Sequence, residues 1–370
     1  MRVHVVDPSA YTRPYDAALC AALAALGVEV ELVTSAFAYG ESPAAHGYAV
    51  REVFYRHARG APASRRRRAL KLLEHAPDMA RYRRLAQRAD LVHFQWLPVP
   101  WLDRHLLPRR PVVLTAHDLL PREPRPGQSR AQRRLYDAVQ AVVVHSEHGR
   151  AQLVQRLGVP AEKVRVIHHG AFEHLARLPD GPLPPELPDP GGAVVLFFGL
   201  LRPYKGLDVL LDAWRRIQAP PGSRLWIVGR PRMPIAELAR TAAGVALLPR
   251  FVSEGELAAC FRRADLVVLP YVEAERLDFS GVLATALAFG KPSVVSDVGG
   301  FPEVAQTGAA QLVPPRDPDA LADALRRLIG DPEARRRLAE GARRAAAGPY
   351  SWKESASRTL SLYRDLTQAT

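Results

Sequence analysis

The chain has 370 residues, of which 48% are hydrophobic and 24% charged, and its formal net charge is +13. This length exceeds one ordinary hydrophobic core and predicts about two globular domains. No apolar run approaches the roughly 20 residues of a membrane-spanning helix, and the first residues read as a strand rather than a signal peptide. We therefore expect a cytoplasmic protein, free or peripheral on the inner face of the membrane.

Most of the positive charge lies in residues 51–88, where twelve Lys and Arg face three acidic residues. Such a stripe attracts anionic lipid, nucleic acid or an anionic substrate, and a merely solvated basic face explains it about equally well. No aromatic platform beyond Tyr82 is interleaved with the arginines, so we expect no nucleic-acid binding.

The first half of the chain alternates strand and helix signals, which predicts a parallel sheet with right-handed crossovers. Ser146 is expected to cap a helix that reaches about residue 157. Apolar or alternating runs predict strands at residues 2–6, 28–34, 47–55, 91–94, 112–115, 141–145 and 164–167, and helical patterns cover 14–26, 64–75 and 79–89.

Six prolines lie within residues 179–190, a density that no helix or central strand tolerates. We interpret this segment as a stiff linker. The predicted organisation is a first domain over 1–178, a linker over 179–192, a second domain over 193–350, and a final helix over 351–370 that packs back on the first domain.

The second half repeats the alternation. Asp317-Pro318 and Asp331-Pro332 each predict a helix start, with an N-cap followed by proline. Asp319 makes an Asp-x-Asp with Asp317, but a helix start explains it better than a metal site. The predicted strands cover 193–198, 224–228, 245–248, 266–269, 292–296 and 311–313, and the predicted helices 206–216, 234–243, 253–263 and 281–289.

The most informative stretch runs from Val194 to Trp214. A buried strand ends at Gly199, Arg202 and Lys205 follow, and leucines then recur at helical spacing. Parallel sheets bind anions at this position, because free amides and the helix dipole favour negative charge there. We interpret Arg202 and Lys205 as a diphosphate clamp, the alternative being two solvated loop cations.

Other polar residues also follow predicted strands. Ser280-Gly281 opens a helix whose amides can hold a phosphate. No G-x-G-x-x-G follows the first strand, which disfavours a nicotinamide or flavin enzyme, and Ser146 has no glycine elbow for a serine hydrolase. The remaining strand-end candidates are Arg13, His93, His117, Asp118, His169, Arg230 and Arg250.

These motifs resemble the retaining glycosyltransferases of family 4, which have the GT-B fold. FFGLLRPYKGLDVLLDAW is similar to the family's diphosphate-binding strand, loop and helix. VALLPRFVSEGELAACFRRADLVVLPY, ALAFGKPSVVSDVGGFPEV, TAHDL, VIHHGA and SWKESASRTLSLYRDL match further segments. The resemblance implies two Rossmann-like, doubly wound domains that face a cleft, with the acceptor bound by the first and the donor by the second.

The resemblance also implies roles for single residues. His117 corresponds to a histidine near the donor sugar, and Arg250, Phe251 and Val252 lie beside the nucleotide base. Arg202 and Lys205 would stabilise the leaving diphosphate and, with His117, make up the catalytic set. The full set expected to bind the donor is Gly199, Arg202, Lys205, Arg250, Phe251, Val252, Asp278, Ser280, Gly281, Val282 and Thr285.

The chain departs from the family pattern at three places. Leu277 and Thr285 stand where the family usually carries two glutamates, and Asp278 or Glu275 could replace the first of these. Tyr11-Thr12-Arg13 replaces a glycine pair, and we expect Arg13, with His93 and Asp118, to contact phosphate or the acceptor.

The implied activity is metal-independent transfer of a sugar from a nucleoside-diphosphate sugar, with retention, to a glycan, a lipid-linked glycan or a small molecule. No cofactor is expected, and residues 51–88 could contact an anionic membrane. Two alternatives stay open: a silent nucleotide-sugar-binding protein, and a nucleotide-sugar epimerase.

Overall fold

The structure is a computed structural model that describes all residues except 39, 41–42, 59, 61–63, 121–125, 188, 236–242, 273–277 and 369–370. Leu277 and Glu275, and most of the helix predicted over 234–243, lie outside the described residues. The strands are β1 (Arg2–Asp7), β2 (Glu29–Thr34), β3 (Ala49–Glu52), β4 (Leu91–Phe94), β5 (Val112–Thr115), β6 (Ala141–Val144), β7 (Val164–Val166), β8 (Val194–Phe198), β9 (Arg224–Val228), β10 (Val245–Leu248), β11 (Leu266–Leu269), β12 (Ser293–Ser296) and β13 (Ala310–Val313).

The described helices alternate with these strands. They are α1 (Arg13–Ala25), α2 (Arg65–Leu85), α3 (Pro100–Leu106), α4 (Gln128–Ala138), α5 (Glu147–Ala151), α6 (Glu173–Ala176), α7 (Leu207–Arg216), α8 (Glu254–Arg263), α9 (Gly281–Ala288), α10 (Phe301–Gln306), α11 (Pro318–Gly330), α12 (Pro332–Ala347) and α13 (Trp352–Gln368). A π-helix over Gln152–Arg156 continues α5, and a 3₁₀ turn covers Pro203–Lys205.

The chain forms two compact units, one of residues 1–169 and 352–370 and the other of residues 170–351. In the first unit, seven parallel strands lie in the order β3-β2-β1-β4-β5-β6-β7. This is a doubly wound sheet whose order reverses beside β1, where ligands bind in such folds. Helix α13 belongs to this unit and packs on α1, as predicted.

In the second unit, six parallel strands lie in the order β10-β9-β8-β11-β12-β13. Strand β8 shows why its sequence is apolar throughout. Val194 and Leu196 enter one hydrophobic cluster, whereas Val195 and Phe197 enter the cluster on the opposite face. Because both faces of a central parallel strand are covered, each successive side chain must be apolar. The prediction of two Rossmann-like domains is therefore confirmed.

The three helix starts predicted from a capping residue have the predicted chemistry. The side chains of Asp317 and Asp331 accept hydrogen bonds from Ala320 N and Ala334 N, each at 2.9 Å. Ser146 Oγ likewise accepts from Gly149 N at 2.9 Å. These bonds satisfy amides that a helix start leaves without partners.

One helix differs from its prediction. The two basic helices expected on either side of Pro77 form the single helix α2. Buried Met79 and Tyr82 follow the proline and pack in the first unit's core, so packing outweighs the loss of one backbone hydrogen bond.

The Pro-rich segment packs on the second unit. Leu187 is fully buried in that unit's core. Arg262 donates to the carbonyl oxygens of Ala176, Leu178 and Pro179, and Arg263 to those of Pro190 and Gly192. The domain limits read from the sequence, with a hinge in 179–192, stay a prediction.

Candidate active site

The loop that follows β8 carries Arg202 and Lys205, which the sequence predicts to bind a diphosphate. Lys205 is only 5% exposed, and its Nζ donates to the Phe198 carbonyl oxygen at 3.3 Å. The same Nζ lies 5.4 Å from the centre of the Tyr271 ring. The ammonium group is therefore held at the carboxyl end of the central strand, where the sequence placed it.

Two glycines make this position possible. Gly199 has φ +103°, and a Cβ added there would lie 2.7 Å from Lys205 Nζ. Gly206 has φ +68°, and its Cβ would lie 1.9 Å from the Pro270 carbonyl oxygen. A side chain at Gly206 would collide with the backbone, and one at Gly199 would be strained by its positive φ and would push against Lys205.

Arg202 precedes the 3₁₀ turn that contains Lys205 and is half-buried. Its Nε is buried and makes no hydrogen bond to any part of the chain that the structure describes. A buried guanidinium N–H without an acceptor costs free energy, about 1–3 kcal/mol for a typical polar group. The side chain is thus ready to bind an acceptor such as a phosphate oxygen.

The amino end of α9 lies beside this loop. The Cγ2 atom of Val282 lies 3.2 Å from a Cβ built on Gly199. Ser280 precedes the helix but does not cap it with its side chain; its hydroxyl lies 3.1 Å from the Tyr271 hydroxyl instead. The first amides of the helix therefore have no side-chain cap from Ser280 and can receive an anion.

Thr285 and Asp278 are both buried in this region. The Thr285 hydroxyl donates to the Gly281 carbonyl oxygen at 2.8 Å, so its proton is used within α9 and only its lone pairs could meet a ligand. The carbonyl oxygen of Asp278 accepts from Gly300 N at 3.2 Å, which joins the approach to α9 to the turn after β12.

Arg250 forms a charged cluster with two glutamates. Its guanidinium donates to Glu186 at 3.0 and 3.1 Å and to Glu256 at 2.7 and 3.1 Å. These hydrogen bonds lower the pKa of Glu256 to about 2 and also lower the pKa of Glu186. Arg250 therefore fixes the loop, and its charge is already matched by carboxylates.

Phe251 is the exposed member of the predicted base-binding trio. Its side chain is 52% exposed, and the Arg230 guanidinium carbon lies 5.4 Å from its ring centre. Val252 packs partly against the core. An exposed aromatic face with an adjacent arginine can stack on a planar ligand.

In the first unit, His117 lies in an aromatic cluster at the carboxyl ends of the strands. Its ring stacks on Trp96 with centroids 5.3 Å apart and meets the edge of Tyr15 at 4.7 Å. His145 and His169 contact the same Tyr15 ring. Burial holds the pKa of His117 well below its ordinary value, so the ring is neutral at physiological pH.

Polar contacts hold the His117 ring in place. Its Nε2 donates to Gln95 Oε1 at 3.0 Å. His145 Nδ1 donates to the Ile167 carbonyl oxygen at 2.9 Å, and His145 Nε2 lies 3.4 Å from His117 Nδ1. His117 is thus held by a polar chain that sequence reasoning did not identify.

The remaining predicted residues of this unit have different surroundings. His93 is buried, and its ring nitrogens lie 2.6 Å from the Tyr363 hydroxyl and 2.7 Å from the Thr115 hydroxyl. Both nitrogens are therefore occupied by the core, and the acceptor contact of His93 stays a prediction. Arg13 is buried at the start of α1, whereas Asp118 lines a cavity of about 220 Å³ with His117.

Several residues of these sites carried no signal in the sequence. Tyr271 and Gln95 each orient a predicted residue from a separate segment, and Glu186 does so from the Pro-rich segment. Among the described residues, no three His, Cys, Asp or Glu side chains are grouped so as to hold a metal ion. No described helix is long and apolar enough to cross a bilayer.

Comparison with known proteins identifies the family. Residues 17–171 match the family model described as Glycosyltransferase Family 4, and residues 192–331 match that of Glycosyl transferases group 1. A D-inositol 3-phosphate glycosyltransferase of Nocardia farcinica is 32% identical over 92% of this chain and 81% of its own. That of Corynebacterium efficiens is 34% identical over 76% of this chain and 72% of its own.

Solved structures share the fold. Sucrose-phosphate synthase from Thermosynechococcus elongatus superimposes with a TM-score of 0.75 over the whole of both chains, at 21% identity. The Anabaena protein HepE in complex with UDP-glucose gives a TM-score of 0.73 over 98% of this chain and 100% of its own, also at 21% identity.

Proposed function

The chain belongs to the group 1 glycosyltransferases of family 4, and we propose that it moves a sugar from a nucleoside-diphosphate sugar to an acceptor with retention of configuration. The observation that carries this proposal is the cluster of Gly199, Arg202, Lys205 and the start of α9 at the end of β8. Each component favours an anionic group with several oxygens, which is what a diphosphate presents.

The chemistry assigned to this cluster is stabilisation of the leaving group. The bond between the anomeric carbon and the diphosphate oxygen breaks, and a bond from that carbon to an acceptor oxygen forms. The acceptor's proton passes to the departing phosphate. Negative charge develops on the diphosphate in the transition state, so Arg202, Lys205 and the α9 amides stabilise that state more than the ground state.

His117 takes the role that the family resemblance gives it, orienting the transferred sugar. A neutral ring whose Nε2 is bonded to Gln95 suits this role, because its orientation is fixed and it adds no charge beside a developing cation. Metal independence is part of the proposal, since two cations and helix amides already supply positive charge at the diphosphate.

The test is a donor screen by thermal unfolding. UDP-glucose and free UDP are the first ligands to try, because HepE was solved with both, and GDP and ADP sugars complete the panel. A ligand present at 100 times its dissociation constant stabilises the folded state by about 2.7 kcal/mol. Absence of stabilisation by every nucleotide and nucleotide sugar would contradict the proposal.

The acceptor-binding unit presents a surface suited to an anionic membrane. On α2, the side chains of Leu72 and Leu73 are 68% and 75% exposed. Exposed arginines lie on both sides of them along the helix, among them Arg68 and Arg81. Basic residues around protruding leucines favour binding at an anionic lipid surface, which supports an acceptor that is lipid-linked.

Vesicle sedimentation tests this surface. We expect the chain to sediment with vesicles that contain phosphatidylglycerol and not with pure phosphatidylcholine. The double variant Leu72→Ser, Leu73→Ser should lose most of this binding while keeping its unfolding temperature, since both side chains are exposed. Equal partitioning of the unaltered chain with both vesicle types at low salt would remove the membrane from the proposal.

A second candidate is a nucleotide-sugar-binding protein that does not catalyse transfer. It is favoured by Thr285, which brings no carboxylate to α9 and whose hydroxyl donates its hydrogen bond to the Gly281 carbonyl oxygen. Donor consumption separates the two functions. A catalyst releases nucleoside diphosphate over many turnovers when an acceptor is present, whereas a binding protein is stabilised by the donor and leaves it intact.

A further inference from the structure

One cation of the first unit lies among aromatic rings rather than carboxylates. Lys71, on α2, is half-buried, with its Nζ 4.8 Å from the Tyr55 ring centre and 5.9 Å from that of Tyr11. No carboxylate of the described residues forms an ion pair with it. Burial lowers the pKa of Lys71 to about 8, and Arg67 adds to this effect, whereas Asp7 raises it.

The surroundings of Lys71 are firmly built. Tyr55 has φ +53°, a conformation that costs a non-glycine residue free energy, and its N–H donates to the Asp78 carboxylate at 2.7 Å. Its hydroxyl lies 2.7 Å from His75 Nδ1, and His75 Nε2 lies 2.5 Å from the Asp103 carboxylate. Buried partners thus hold the backbone N–H and the hydroxyl of Tyr55 and fix the ring beside the ammonium group.

The loop that carries Tyr11, the second ring beside Lys71, is held in the same way. The buried Asp7 carboxylate accepts hydrogen bonds from Ser9 N at 3.1 Å and Thr12 N at 3.0 Å. Between them, Ala10 has φ +53° and Tyr11 faces Lys71. Both segments that bring a ring to Lys71 therefore contain a residue with strained backbone, Tyr55 itself and Ala10 beside Tyr11, and such strain clusters at ligand-binding positions.

The charges on α2 point to an anion. Arg67 precedes Lys71 by one helical turn, is buried, and directs its Nε to the Ala58 carbonyl oxygen at 3.0 Å. Like charges at this spacing destabilise a helix by a few tenths of a kcal/mol, and more when they are taken out of water. An anion bound beside Lys71 would attract both side chains and so offset the repulsion between them.

The same loop leads to the cavity that contains His117. Tyr11 lines that cavity and meets the Trp96 ring at 5.7 Å, and Trp96 stacks on His117. Trp96 Nε1 also donates to the Thr12 hydroxyl at 3.0 Å. A continuous aromatic surface therefore joins Lys71 to the histidine assigned to the donor sugar, and aromatic faces are suited to the apolar faces of sugar rings.

We infer that Lys71 binds a phosphate group of the acceptor, whose polyhydroxylated part lies in the cavity lined by Tyr11, Trp96 and His117. The identification of the phosphate as part of an acceptor rests on the proposed function, whereas the existence of a phosphate site at Lys71 does not. The phosphate belongs either to a soluble sugar or polyol phosphate or to a lipid headgroup, and the experiments below distinguish these sources.

The first experiment detects the site without requiring transfer. The intact chain is treated with an amine-acylating reagent, with inorganic phosphate or with chloride at matched ionic strength, and peptides are quantified by mass spectrometry. Phosphate at about ten times its dissociation constant should slow labelling of Lys71 about tenfold. The exposed Lys353 is the internal control. Equal labelling of Lys71 in phosphate and chloride overturns the inference, whatever the activity of the chain.

The second experiment measures acceptor selectivity. Glucose and D-inositol are offered with and without a phosphate ester, and phosphatidylinositol is offered in phosphatidylcholine vesicles. We expect the phosphorylated member of a pair to be preferred. Lys71→Gln should raise KM for it about 10- to 100-fold, the value of a charge-assisted hydrogen bond, with donor hydrolysis unchanged. Lys71→Arg should recover part of this loss, and Lys353→Gln should match the unaltered chain.

These outcomes decide the source and the inference. Preference for the vesicle-bound acceptor assigns the phosphate to a lipid headgroup, and preference for a free phosphate ester assigns it to a soluble acceptor. An unchanged KM in Lys71→Gln, or an equal loss with phosphorylated and unphosphorylated acceptors, contradicts the inference. If no acceptor is used but phosphate protects Lys71, the anion site stands and the proposed transfer fails.

Discussion

The two units hold in opposite ways the lysines for which we propose functions. In the second unit, backbone groups position Lys205: the Phe198 carbonyl oxygen accepts a hydrogen bond from its Nζ, and the missing side chain of Gly199 leaves room for it. In the first unit, side chains from separate segments surround Lys71, namely Tyr11 and Tyr55 with the buried groups behind them. A site made from the backbone of one loop is local in the sequence, whereas a site made from side chains is distributed along it.

The largest expected effect comes from removing the cation of the local site. Lys205→Met should lower kcat about 100- to 1,000-fold, the range seen when one preorganised donor to a developing anion is lost. Steady-state kinetics with a saturating donor measures it. Arg215→Gln, on the exposed face of the next helix, is the matched control and should change little. A folded Lys205→Met variant with near-normal turnover would contradict the proposal that Lys205 stabilises the leaving diphosphate.

The next effect concerns the backbone that makes room for this lysine. Gly199→Ala places a Cβ 2.7 Å from Lys205 Nζ and 3.2 Å from Val282 Cγ2, at φ +103°. We expect it to lower the free energy of unfolding by about 1–3 kcal/mol and to reduce transfer. Urea denaturation measures the former. Gly181→Ala, where no atom lies within 4 Å of the new Cβ, should remain within about 0.5 kcal/mol of the unaltered chain.

The last effect appears only on acidification and concerns the buried side chains of the first unit. Burial lowers the pKa of His93 to about 3 and that of His145 to about 4. Because both values lie below the unfolded value of 6.5, stability is complete above pH 6.5 and is lost as the pH falls toward 4. Each histidine adds a slope of about 1.4 kcal/mol per pH unit between these limits.

The His93→Gln variant isolates one of these two histidines. Its unfolding free energy, measured by urea denaturation from pH 7 to pH 4, should fall less steeply with acidification than that of the unaltered chain. An unchanged slope would mean that His93 titrates normally in the folded state. Buried neutral histidines would then contribute less to the pH dependence of the first unit's stability than their burial indicates.

The sequence predicted the local features and not the distributed ones. The strand before Gly199, the cations at Arg202 and Lys205, and the proline-marked helix starts all depend on neighbouring residues, and each was read from a single stretch. The polar chain through Gln95, His117 and His145 depends on side chains brought together by adjacent strands. No periodicity or spacing in one sequence encodes such pairings.

One prediction failed for a related reason. Two helices were expected over 64–75 and 79–89, and Pro77, which locally disfavours a continuous helix, lies between them. The helix continues because the residues after the proline are buried in the core of the unit. Local propensity gives way wherever tertiary packing supplies more free energy than the local preference costs.

The packing of the Pro-rich segment and of the residues before it on the second unit decides where a stable fragment of the chain can begin. Ala171 and Leu187 are fully buried in the second core, and Ala171 N donates to the Tyr350 carbonyl oxygen at 2.7 Å. A recombinant fragment that starts at residue 193 would lose both, uncover apolar surface and tend to aggregate. One that spans residues 170–351 would retain them, so a fragment made to study the second unit alone should begin upstream of the prolines.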